Sequence, residues 1–208
     1  MTFMHTQARS SLTRQALLDA TRQLLIEQGY ARLGEVRVCE RGGVSRGALR
    51  YHFPEGLIDL LPALLEDLIE IEAAKIAATG AQTPRERLYL ALYGLAKSHG
   101  QSDSIAVLEL WMAARGDARL AARLNPILDK ADERIFGLRP DADFEPDLLA
   151  WRLMLHGAAL RVFSHDYDRS RLSAALQWAL KTWPAPEGLM ERLRGARIAA
   201  ASAPATER

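Results

Sequence analysis

Residues 43–53, Gly-Val-Ser-Arg-Gly-Ala-Leu-Arg-Tyr-His-Phe, constrain the fold more than any other stretch of the chain. Gly42 and Gly43 offer the left-handed backbone that ends one helix and turns the chain sharply. Val44 is placed to plug the corner, and Ser45 to cap the next helix by accepting a backbone N–H. In that helix Leu49 and Phe53, four apart, point together into a core, while Arg46, Gly47, Arg50 and Tyr51 lie on or near the outward face. A short helix with Arg at its start, little bulk at Gly47 and Ala48, and Arg, Tyr and His one turn on suits a DNA major groove. The stretch reads as the turn and second helix of a helix-turn-helix, and points to a DNA-binding regulator rather than an enzyme.

Charge supports this reading once it is divided along the chain. The whole sequence carries a net charge of only +1, but residues 1–53 hold eight Arg and four acids, a balance of +4, which leaves 1 − 4 = −3 for the rest. A basic head on a mildly acidic body is the asymmetry of a DNA-binding module joined to a regulatory one. Cys39 is the only cysteine, so no intrachain disulfide and no zinc-ligand cluster is expected, and the residue reads as inert core. The first ten residues contain no apolar run, and the apolar stretch 146–163 is interrupted by Arg152, His156 and Arg161. Neither a signal peptide nor a membrane span is expected, and the expected location is cytoplasmic.

Nearly all of the chain has helical periodicity. Residues 13–28 carry an apolar stripe with Thr13 as N-cap and Gly29 as the stop. The segment 34–41 alternates Val36 and Val38 with charges, but finds no partner strand, and reads as a short helix capped by Gly34. After the turn Pro54-Glu55-Gly56 a long helix is expected to about residue 79, either starting near Asp59 with Pro62 in its first turn or kinked at Pro62. Thr83-Pro84 opens a helix that ends near His99-Gly100, Asp103 opens one to Gly116, and Asp117 one to about Leu138 with a kink at Pro126. Further helices run over 146–163 and 170–183, and the tail is expected to fray beyond a possible short helix.

The helix 146–163 is apolar around most of its circumference, which calls for burial on all sides. One subunit covers one face, and a second copy can cover the other, with small residues at Gly157, Ala158 and Ala159 allowing close approach. The expected dimer interface comprises Trp151, Leu155, Gly157, Ala158, Ala159, Leu176 and Trp183.

The pattern resembles the TetR family of transcriptional regulators. In the head the matching residues are Leu17-Leu18-Asp19-Ala20, Leu24-Leu25, Gly29-Tyr30, Val38, residues 43–49, His52-Phe53-Pro54 and Leu60-Leu61; in the body they are residues 109–115, 117–120 and 155–160. The resemblance implies an all-α homodimer: a three-helix helix-turn-helix head over 10–54, a helical-bundle ligand-binding and dimerisation domain over 55–183, and a C-terminal tail over 184–208. It implies that Ser45, Tyr51 and His52 meet phosphates and that Arg46, Gly47, Ala48 and Arg50 face base edges. The chain departs from the family at Arg50, where an aromatic residue is usual, at Gly56, where a lysine is frequent, and at Gly34 and Glu35, which replace a hydroxyl-bearing helix start. Arg37 is the substitute phosphate donor.

The resulting expectation is a transcriptional repressor released from double-stranded operator DNA by an unidentified small-molecule effector, with no catalytic residue, metal or cofactor and no membrane partner. Trp111, Met112, Met154 and His156 are the candidate ligand contacts. The alternatives are a helical ligand-binding dimer with weak or lost DNA binding, and a small all-helical enzyme. Against the enzyme, His5, His52, His99, His156 and His165 are scattered, with no motif linking any of them to a nucleophile or second ligand.

Overall fold

A computed structural model of the chain describes residues 2–97, 103–139, 141, 145–161 and 164–194, with the side chains of 2–8 outside that description. Among the described residues there are nine α-helices and no strand, in keeping with the all-α expectation: α1 (Thr2–Gln28), α2 (Glu35–Gly42), α3 (Arg46–His52), α4 (Leu57–Ala77), α5 (Pro84–Lys97), α6 (Asp103–Gly116), α7 (Ala118–Phe136), α8 (Pro146–Leu160) and α9 (Arg169–Thr182). A 3₁₀ turn at Tyr30–Arg32 follows α1. Besides these nine, residues 189–194 form a tenth α-helical stretch that runs up to the edge of the described residues. The expected helix end at His99-Gly100, the positions 162–163 and the tail from 195 onward lie outside the described residues.

The helices group into two compact units, one of Met1–Glu70 with Gly100–Ala131, the other of Ile71–His99 with Asp132–Arg208. In the first, Leu17, Leu18, Leu24 and Leu25 of α1 are buried together with Val38 and Cys39 of α2 and Leu49 of α3. Thr21 is also fully buried, and its hydroxyl donates to the Leu17 carbonyl at 2.7 Å, which satisfies it inside its own helix. The sequence placed the start of α1 at Thr13; the helix begins at Thr2 instead. Thr13 sits in its interior, and its hydroxyl donates back to the Arg9 carbonyl at 3.0 Å rather than capping. Gly29 ends the helix as expected, at φ 76°. Cys39 is buried, and that burial, with Glu35 nearby, pushes its thiol above the ordinary value, as suits inert core.

Two bonds fasten α6 to the start of this unit. Arg22 of α1 pairs with the buried Asp103 at 2.6 Å, and Glu109 accepts the Tyr30 amide at 2.7 Å beside the backbone of Gly29. Asp117 caps α7 by accepting from the Arg119 and Leu120 amides at 2.9 and 3.1 Å. Arg119 and Arg123 then reach Glu55, and Arg123 also reaches Asp59.

α4 starts at Leu57, earlier than the late start near Asp59, so Pro62 falls in its second turn. There it deprives the Ile58 carbonyl of its helical donor. Pro126 likewise lies inside α7, which ends at a left-handed Gly137 whose amide donates to the Glu133 carbonyl at 2.8 Å.

In the second unit α8 and α9 pack across α5 around Leu88, Tyr89, Leu92, Trp151 and Leu176. Tyr89 lies 6.0 Å from Trp151, and Trp151 lies 5.9 Å from Trp183, ring centre to ring centre. The start of α5 is tightly made. Thr83 accepts the Glu86 amide at 3.2 Å, and Glu86 reaches back to the Gln82 amide at 2.7 Å and also binds Arg192. Burial works to raise the Glu86 carboxyl, but the bonds from Gln82, Arg192 and Thr83 outweigh it and hold the group below its ordinary value of 4.5. The unfolded chain therefore takes up a proton on Glu86 before the folded one does. The stabilisation from Glu86 is complete above the ordinary carboxylate range and is lost as pH falls through the lowered folded value. Unfolding temperatures measured from neutral pH down to pH ~3 should show wild type losing more than Glu86→Gln. Parallel curves would show that Glu86 carries no linked stability.

Candidate nucleic-acid interface

The interface is set by how α2 hands over to α3. Gly43 is left-handed at φ 63°, with its amide directed to the Cys39 and Glu40 carbonyls, and the Val44 amide donates to Cys39 at 3.0 Å. Gly42, in contrast, remains helical. A Cβ there would stand 3.2 Å from the Ala16 carbonyl oxygen, so this glycine serves the close approach of α2 to α1 rather than the turn. Ser45 caps α3 as expected, accepting the Ala48 amide at 3.1 Å. Leu49 and Phe53 are buried, and the Arg14 guanidinium lies 5.6 Å from the centre of the Phe53 ring, tying α1 to the end of α3.

The fold brings Ser45, Arg46, Gly47, Ala48, Arg50, Tyr51 and His52 together on one short helix and its cap. Arg46, Gly47, Arg50 and Tyr51 are exposed, Tyr51 to 76%, while Ala48 and His52 are half-buried. Tyr51 and His52 meet edge to face at 5.0 Å. Arg37 stands apart on α2. Its guanidinium donates to the Gln28 side chain at 3.0 Å and the Arg32 carbonyl at 3.2 Å. It lines an open groove with Leu24, Gln28, Arg32, Glu40 and Arg41.

Arg50 is held by intrachain bonds. Rather than pointing freely from α3, it donates to both Glu35 oxygens at 2.8 and 2.9 Å and to the Pro54 carbonyl at 2.9 Å. Sequence reasoning missed Glu35 as its partner. The two residues are fifteen positions apart on different helices, and their charges were the only available signal.

The other expected site residues lie on the helices of the body. Trp111 and Met112 stand exposed on α6, in the first unit, and Met154 and His156 are half-buried on α8, in the second. Burial, with Arg152 nearby, holds the His156 imidazole below its ordinary value, so it favours the neutral ring. Of the expected dimer residues, Trp151, Ala158 and Leu176 are buried in the core of their own unit, with Leu155 and Trp183 packed against it. Trp151, Ala158 and Leu176 are therefore core of their own unit rather than open surface, while Leu155 and Trp183 remain half-buried and Gly157 exposed. The exposed apolar residues of α8 are Leu149, Leu153 and Leu160, on the stripe that includes Gly157, and α9 exposes Trp178 to 69%. Ala159 is half-buried.

Known proteins resemble this chain in sequence and in fold. The model for bacterial regulatory proteins of the tetR family matches residues 17–55, from the buried leucines of α1 to the turn after α3. An uncharacterized HTH-type transcriptional regulator of Mycobacterium tuberculosis (strain ATCC 25618 / H37Rv) is 32% identical over 131 residues, which is 62% of this chain and 67% of the relative. Among solved structures, a TetR transcription regulator from Haloarcula marismortui ATCC 43049 matches with 28% identity and a TM-score of 0.60, covering 82% of this chain and 96% of the other. The multidrug binding protein EbrR, in complex with ethidium, matches with 25% identity and a TM-score of 0.56, covering 80% and 96%.

Proposed function

The chain belongs to the TetR family of bacterial transcriptional regulators, and on that premise we propose that it acts as a dimeric repressor whose α3 enters the major groove of operator DNA. The observation that carries this reading is the α3 surface. A serine-capped helix presents Arg46 at its first position, followed by Gly47 and Ala48, whose small side chains let the backbone come close to base edges. Ser45, Tyr51 and His52 take the phosphate-facing places, and Arg37 reaches the backbone from α2. The reading needs no cofactor and assigns no catalytic step. No described helix is long and apolar enough to cross a membrane, and the proposed place of action is the cytoplasm, where the DNA is.

Two further parts of the proposal follow from the body. A second copy covers Leu149, Leu153, Gly157 and Leu160 of α8 and Trp178 of α9, which gives the paired heads that a two-fold operator requires. A small organic molecule held by the helical body releases the DNA; the ethidium complex of EbrR supports this class of effector. The effector would act through α4, which continues as one helix from the end of the head at Leu57 to Ala77, and through the bonds that fasten α6 to α1 and Tyr30. DNA and effector must then weaken each other by the same factor, typically about 5–150-fold.

A mobility-shift titration on the DNA upstream of the chain's own coding sequence, with random DNA of equal length as competitor, tests the central claim. Retention of the upstream fragment in excess competitor is expected. Equal affinity for both fragments, or no retarded band, would overturn sequence-specific binding.

A further inference from the structure

Three of the four positions at which the head departs from the usual family pattern converge on one spot. Glu35 opens α2, Arg50 lies in the last turn of α3, and Gly56 precedes α4. Gly56 is buried at φ 66°, and a Cβ there would collide with Glu35 Oε1 and stand 3.2 Å from Arg50 Cζ. Only a glycine leaves the seat that the Glu35 carboxylate fills. From that seat both Glu35 oxygens accept from one Arg50 nitrogen, Nη2, while Nη1 donates to the Pro54 carbonyl. A carboxylate takes up guanidinium N–H donors as a phosphate does.

We propose that Glu35 competes with the DNA backbone for Arg50 and thereby acts as an electrostatic brake on the head, setting its affinity below what its arginines would otherwise give. This rests on the reading of α3 as the DNA-binding helix. The carboxylate is seated, with only 20% of its side chain exposed, while the Arg50 side chain is 49% exposed, so a phosphate can reach the arginine from solvent but meets a donor that Glu35 already holds. With Glu35 engaged, the pair presents no net charge, and Arg50 displaces no counterion from DNA. A repressor that must leave its operator gains from such a device. It limits the sequence-independent hold on phosphates without altering the base-facing residues at the start of α3.

The test measures affinity for a short random-sequence duplex as a function of salt, for wild type, Glu35→Gln, Arg50→Ala and the double variant. Gln keeps the shape of Glu35 and removes its charge. Glu35→Gln is expected to bind severalfold tighter at low salt, with a slope of log affinity against log salt steeper by about one. That gain should be absent when Arg50 is Ala. A gain of equal size in the Arg50→Ala background would show that Glu35 repels DNA directly, and would overturn the brake. No gain in Glu35→Gln would overturn it as well. Failure of wild type to bind the duplex at low salt is a different result, which removes the DNA-binding reading itself. Circular dichroism of each variant separates lost binding from lost fold.

Discussion

Leu153→Asp should turn the proposed dimer into a folded monomer, as read by analytical ultracentrifugation. Leu153 is 61% exposed on α8, between Leu149 and the Gly157–Leu160 end of the same stripe, so in one chain it contributes little to the core. In the proposed interface it is covered by the partner, and an unpaired carboxylate buried there costs several kcal/mol, on the order of 3–5 kcal/mol for an uncompensated charge. Such a cost exceeds what a modest interface can absorb. Because the chain's own core on α8 rests on Leu148, Trp151 and Ala158, the helical circular dichroism spectrum should survive.

Operator binding should fall with dimerisation, since two linked heads gain about 10²–10⁴ in avidity over one. Trp178→Glu on α9 should act in the same direction. A Leu153→Asp protein that remains a dimer of undiminished affinity would place the interface elsewhere. An unfolded one would show that this face belongs to the chain's own core.

The parts of the fold legible in the sequence were those fixed by local chemistry. Ser45, Thr83 and Asp117 each cap the helix expected from them, and Gly29 and Gly43 hold the left-handed turns. These features depend on groups within a few residues of one another. Thr13 shows the limit of such a signal. A threonine hydroxyl that could cap a helix can equally bond to the carbonyl four residues back, and the helix-forming residues before it decide which happens. Gly42 shows another: a glycine beside a turn reads as part of the turn, yet here it makes room for the Ala16 backbone.

Contacts between distant elements were not legible. Helix α8 is apolar all round, so its sequence carries no phase to say which face meets α5 and which stays exposed. Trp151 and Ala158 therefore looked like interface and lie in core, whereas Leu149 and Leu153 remain exposed. The candidate ligand contacts carry the same ambiguity. Trp111, Met112, Met154 and His156 have the chemistry of a pocket lining, and apolar residues at helical spacing do not reveal which side of a helix they occupy. The Glu35–Arg50 pair is the sharpest case. Each residue looked like a separate departure from the family, and only the fold shows that they answer one another across Gly56.

Arg46→Ala should weaken operator binding by about 1–3 kcal/mol, or roughly 5–150-fold, and relax the base preference at one position in each half-site. Arg46 is the first residue of α3, exposed, and carried by a helix whose start is held by the Ser45 cap. Its backbone is therefore fixed before DNA arrives, which favours the bidentate contact to guanine O6 and N7 that such an arginine can make. Arg50 lacks that freedom because Glu35 and the Pro54 carbonyl hold it, so Arg50→Ala should not alter base preference. Tyr51→Phe provides the contrast. Loss of its exposed hydroxyl should weaken operator and random DNA alike, since a phosphate contact positions the helix without reading sequence. The measurement is a set of titrations on the operator, on operators with single base changes, and on random DNA. If Arg46→Ala weakens all of them equally, Arg46 is a phosphate contact, and base reading falls to the backbone approach permitted by Gly47 and Ala48.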